Sequence, residues 1–123
     1  MNLLVMVLQT IVAVGLLNVW LVRFGKSTAY RGGSAKNLKE EFAAYGLPVW
    51  FMYLIGFLKV SLALALLAGL WIPQMIGPAA SLVVLLMLGA LAMHLKVRDP
   101  MIKSLPAALM LIMALTISMA TLY

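Results

Sequence analysis

Polar residues are spaced so unevenly along this chain that its elements can be read from the gaps between them. Four stretches, 3–22, 49–72, 75–95 and 105–123, are apolar almost throughout. Each approaches the roughly 20 residues with which a helix crosses the hydrocarbon of a bilayer. The pattern predicts an all-α fold, an integral membrane bundle of four transmembrane helices. Residues 1–123 form one domain in this reading, because the connections leave no room for a separate soluble unit. The first stretch reads as a retained span: no Lys or Arg precedes its apolar core, and "LLNVWLVRFG" offers no small-x-small cleavage pattern.

The longest polar interval, "RFGKSTAYRGGSAKNLKEEFAAYGLP", carries a pattern of its own. Asn37 followed by Glu40 has the spacing of a helix N-cap and its reciprocal partner, which predicts a short helix over about 38–45. Leu38, Phe42 and Tyr45 are assigned to its apolar face and Lys39, Glu40 and Glu41 to the opposite one, so the helix is expected to lie amphipathically at the headgroup level. Gly46 and Pro48 end it, and Gly32–Gly33 mark a flexible point. Within the second span, Ser61, Ala65 and Gly69 form a small-xxx-small stripe on which another helix could dock.

Composition agrees with the pattern. The chain is 66% hydrophobic and 10% charged, with a mean hydropathy of +1.14, which excludes an ordinary water-soluble globular domain. Of its nine Lys and Arg residues, all but Lys59 fall in the two intervals after spans one and three. The positive-inside rule therefore makes both charged loops cytoplasmic and both termini external, in a cell inner (plasma) membrane. The basic residues are expected to meet anionic lipid headgroups, and nucleic acid is not a partner in this reading. Trp20, Phe24, Tyr45, Trp50 and Tyr53 are assigned to one aromatic belt and Trp71 and Tyr123 to the other. With no cysteine and one histidine, no metal site is expected, and the methionines read as core filler.

Two ionisable residues interrupt the spans. Lys59 lies eleven residues beyond Pro48, about 16 Å into a layer about 30 Å thick. Thr116 of span four comes level with it, Gln9 of span one lies further out and Asn18 nearer the loops. None of these carries a negative charge, so the ammonium needs neutral oxygens, a lost proton or an anion from elsewhere. Lys59 either fixes helix order through such bonds or lines an interhelical pocket, with Thr116, Gln9 and Asn18, for the head of an amphipathic molecule such as a quinone. His94 ends span three, where a helix C-terminus favours its cation; with Asp99 it could instead mark a point of proton uptake. No nucleophile, base and orienting group come together, so the sequence reads as an accessory subunit rather than an enzyme.

The succession "RFGK", "F..YGLP" (Phe42 to Pro48), "GFLKVSLALALLAG", "GALAMHLKVRDP" and "KSLPAAL" resembles the DoxX-like family of small four-helix membrane proteins. The resemblance implies relatives among subunits associated with thiosulfate:quinone oxidoreduction, and a relation to the receptor-assembly chaperone NACHO. Such proteins often carry glutamate where this chain has Lys59. The function expected is a non-catalytic membrane subunit that binds a hydrophobic carrier such as quinone or supports a membrane oxidoreductase. The alternative is an assembly factor or scaffold that docks client helices through Ser61, Ala65 and Gly69. A membrane protein partner or a homo-oligomer is compatible with both.

Overall fold

The computed structural model describes residues 2–23, 25, 30, 32–33 and 35–122. Phe24, Lys26, Arg31 and Tyr123, assigned above to the belts, the basic loop or the end of span four, lie outside the described residues. The helices are α1 (Leu3–Leu17), continued by a π-type turn over Asn18–Val22, α2 (Leu38–Ala44), α3 (Val49–Ala68), α4 (Ile76–Lys96) and α5 (Leu105–Leu122). Short 3-10 turns, Pro73–Met75 and Met101–Ser104, lead into α4 and α5. Four helices, α1 with its π turn, α3, α4 and α5, are long and apolar enough to cross a membrane. The protein is an all-α membrane bundle. α1 packs on α3 and α5, and α4 packs on the same two, so the spans form an up-and-down ring.

Lipid tails are as apolar as leucine, so spans associate through close packing rather than escape from water. The half of the ring nearest the Pro73–Met75 link achieves this with small residues. Ala13, Ala63, Ala80 and Ala114, one from each span, have no exposed surface, and Val12, Leu66, Val83 and Ile117 fill the space between them. The hydroxyls of Thr10, Ser81 and Thr116 each donate to a carbonyl one turn back on their own helix, which satisfies them where water is absent. Gly69 is taken up inside the chain, since a Cβ there would stand 2.6 Å from Ile76 Cγ1. Ala65 packs on the core and Ser61 is exposed, so the three do not present one open stripe.

At the opposite end the two charged loops grip each other. Asn37 caps α2 as its spacing predicts: its Oδ1 accepts from the Glu40 N–H at 2.8 Å, and its Nδ2 donates to Glu40 Oε2 at 2.9 Å. α2 and α4 end alike. Gly46 (φ 78°) and Arg98 (φ 56°) adopt left-handed backbone, and in each case two N–H groups fold back onto the last turn: Gly46 to Ala43 and Leu47 to Phe42, Arg98 to Leu95 and Asp99 to His94. The second of these endings sets Asp99 over His94, whose Nδ1 lies 2.7 Å from Asp99 Oδ2. Asp99 Oδ1 accepts from the Gly33 N–H at 2.9 Å, Lys103 Nζ donates to the Gly33 carbonyl, and Lys96 Nζ donates to the Tyr45 carbonyl at 2.8 Å.

Gly32–Gly33, expected from its composition to be a flexible point, is instead held by its neighbours. The Tyr45 ring lies so close to Gly32 that a Cβ would meet it at 2.5 Å, and Gly33 (φ 57°) is the residue the second loop holds. One other expectation changes here. Trp20 and Tyr45 are buried rather than belt residues, whereas Trp50, Tyr53 and Trp71 are exposed. The apolar face of the short helix is turned to the bundle, where Leu38 and Phe42 pack with Trp20 and Met52.

Arg98 occupies a backbone region that costs a side-chain-bearing residue about 1–2 kcal/mol. Arg98→Gly is expected to raise the stability of the detergent-solubilised protein by about 1 kcal/mol, read as a higher Tm; a lower Tm contradicts the strain. Burial pushes the Asp99 carboxyl up, but the bond from His94, the Gly33 N–H and the charges of His94 and Lys103 outweigh it and hold the group below its ordinary value. Asp99 therefore stabilises the loops above the ordinary carboxylate range, and that stability is lost as pH falls through its lowered value. The protection factor of the Gly33 amide, its exchange rate relative to an unprotected amide at the same pH, should fall on acidification to below about pH 4, and in Asp99→Ala it should be low throughout. Exchange that ignores both changes would contradict the grip.

Candidate functional site

The small residues that close the far half of the ring give way, nearer the loops, to a cavity of about 780 Å3 lined by all four spans and by α2. Lys59 reaches it from α3. Its side chain lies over the Trp20 ring, with Nζ 5.5 Å from the centroid, the geometry in which a cation meets the negative face of an indole. Trp20 belongs to the π turn that continues α1, and such turns re-aim side chains that a regular helix would send elsewhere. The ring fits only because position 56 is glycine: a Cβ there would stand 2.6 Å from Trp20 Cζ3. Gly56 lies one turn toward the loops from Lys59, so the ammonium leans toward the charged end instead of staying at the depth of its own Cα.

The acid expected to be absent from this neighbourhood is supplied by α2. Glu41 is buried, lines the same cavity, and acts electrostatically on Lys59. The Tyr45 hydroxyl donates to Glu41 Oε1 at 2.7 Å, and Tyr45 and Phe42 pack edge-on against His94 and Trp20. Assigning Glu41 to the solvated face is corrected by helix arithmetic. At about 100° per residue, position 41 falls about 40° from Tyr45 and about 60° from Leu38, at the edge of the apolar face. A lone carboxylate amid Leu38, Phe42 and Tyr45 was the signal for a buried partner.

The remaining sequence candidates scatter. Asn18 and His94 line the cavity with Lys59. Thr116 does not: it is exposed on α5, with its hydroxyl bonded to the Ile112 carbonyl. Gln9 is fully buried in the other half of the bundle, where its amide donates at 2.8 Å to the Leu66 carbonyl. That carbonyl lies in the last turn of α3, where Leu70 bonds Leu67 instead, so Gln9 caps the helix end. His94 presents its Nδ1 to Asp99. A carboxylate there fixes the hydrogen on Nδ1 and leaves Nε2 as the nitrogen available to a ligand.

Arg23, Tyr30 and Lys103 also line the cavity, and sequence reasoning missed them because each lies in a loop or near its edge. Among the described residues, no group of three His, Asp or Glu side chains could hold a metal ion. The arrangement is an apolar chamber with a few converging polar groups, the composition of small-molecule sites.

An uncharacterised protein of Bacillus subtilis, YdgD, is 34% identical over 83 residues, which make up 67% of this chain and 73% of that protein. No solved structure matches the chain. The DoxX-like family matches residues 7–117, from the first turns of α1 nearly to the end of α5. Four apolar helices in a bundle, reached from the sequence and found in the structure, are thus accompanied by a match over most of their length: the chain belongs to the DoxX-like family.

Proposed function

We propose that this protein is a non-catalytic membrane subunit whose loop-side cavity receives the polar head of a hydrophobic carrier, of which a quinone is the type, in support of a membrane oxidoreductase. The observation that carries this reading is the cavity itself. Its volume of about 780 Å3 falls within the range of small-molecule sites. Lys59 stands in its wall with neither a hydrogen bond nor a direct ion pair to any described residue, only the Trp20 face and the field of Glu41. A lysine that served only to fix helix order would be expected to end on a carbonyl or hydroxyl.

By the positive-inside rule the charged loops face the cytoplasm, so the chamber lies in the inner leaflet of the plasma membrane and both ends of the chain lie outside. Carriers would reach it from the membrane. The scaffold alternative is less favoured because Gly69 of its docking stripe is already filled by Ile76.

Gly56→Leu tests the proposal, because the new side chain must displace Trp20 from the wall. Protein extracted in a mild detergent should carry a quinone or similar lipid-soluble molecule, detected by mass spectrometry of the organic extract. Gly56→Leu should lose at least about nine-tenths of it while keeping its helical circular dichroism. Recovery of a stoichiometric partner protein, with no small molecule in either sample, would contradict the proposal and favour the scaffold.

A further inference from the structure

The charges around the cavity do not balance, and the sequence holds nothing further to balance them. Its wall contains the cations Arg23, Lys59 and Lys103. The chain has three acidic residues in all. Glu41 lines the cavity, and Asp99 stands beside it, between His94 and Lys103, 3.9 Å from Lys103 Nζ. Glu40 is exposed and bonded to Asn37. Three fixed cations thus face two carboxylates, and Lys59 makes no direct ion pair with a described residue, meeting only the Trp20 face and the field of Glu41. In a chamber walled by hydrocarbon such an excess is costly, and a mobile anion relieves it far more effectively than in water.

The chamber's shape limits what that anion can be. Lys59, Glu41, Trp20 and Arg23 line the α1–α2–α3 side. Along the other side α4 contributes lining residues from Leu85 to His94, about 13 Å of helix at 1.5 Å per residue, and Met110 of α5 adds to it. A small hydrated ion would leave this apolar wall wet.

We infer that the cavity selects a monoanionic amphiphile, a long-chain molecule whose single carboxylate- or phosphate-type charge pairs with Lys59 while its chain covers the α4–α5 wall. The inference rests on the reading of the cavity as a carrier site and goes further. It makes an ionised head, rather than a neutral ring, the preferred occupant, and it makes Lys59 the selecting residue.

The test measures binding of three probes to the purified full chain in phosphatidylcholine nanodiscs: hexadecanoate, its methyl ester, and a decyl-substituted benzoquinone. Hexadecanoate should bind at least tenfold tighter than the ester. Lys59→Met should reduce that ratio to threefold or less, while Lys59→Arg, which keeps the charge, should preserve most of it. If phosphatidylglycerol in the nanodisc competes with hexadecanoate, a bilayer lipid is the natural source of the anion; if it does not, a free long-chain acid is. Equal binding of acid and ester, or an unchanged ratio in Lys59→Met, overturns the inference. If the quinone alone binds, the charge preference fails and the carrier site stands. If no probe binds, both fail.

Discussion

A lysine ammonium can sit inside a membrane bundle only if something offsets its loss of hydration. In this chain that task falls on a helix that does not cross the membrane at all. α2 carries Glu41 into the cavity that Lys59 lines, and the π turn at the end of α1 brings the Trp20 face to the ammonium. Neither group would be there without the other parts of the loop end. Gly56 makes room for the indole, Phe42 packs edge-on against it, and Tyr45 holds the carboxylate. The cavity is the space these compensating groups leave between themselves and the apolar wall opposite.

Seven residues cannot hold themselves helical in water or at an interface, so α2 needs support from outside. The segment from His94 to Lys103 provides it. Lys96 binds the carbonyl at the C-terminal end of α2, and Asp99 and Lys103 take the two backbone groups of Gly33 upstream of it. Because Asp99 is positioned by the way α4 ends, the geometry of one span's last turn determines where the opposite loop lies. His94 belongs to this support through Nδ1 while it lines the cavity, so a ligand contacting its other nitrogen would be in touch with the loop grip.

The spans were legible because the bilayer demands length and apolarity and little else. The family was legible from ordered fragments such as "YGLP" and "GFLKV". The site was only half legible. Lys59 and His94 stood out as ionisable groups in apolar runs, and Asn18 followed from depth. Depth alone also selected Thr116 and Gln9, which the rotation of their helices turns elsewhere: Thr116 to its own backbone at the surface, Gln9 to the last turn of α3. Glu41 was misassigned because charge was weighed above helical phase. Trp20 could not be foreseen, since a π turn shifts the face that a regular helix would present. Gly32–Gly33 read as a flexible point on composition, yet here it admits the Tyr45 ring and offers its backbone to Asp99 and Lys103.

The account depends on Glu41 and Lys59 acting on each other across the cavity, and a double-mutant cycle for unfolding in detergent measures this directly. Glu41→Gln alone leaves the ammonium without its nearest carboxylate, whereas Lys59→Met removes the need for one. The predicted result is a coupling energy of about 1 kcal/mol or more, with the double variant more stable than the two single losses add up to. Additivity within about 0.3–0.5 kcal/mol, the behaviour of independent sites, would contradict it.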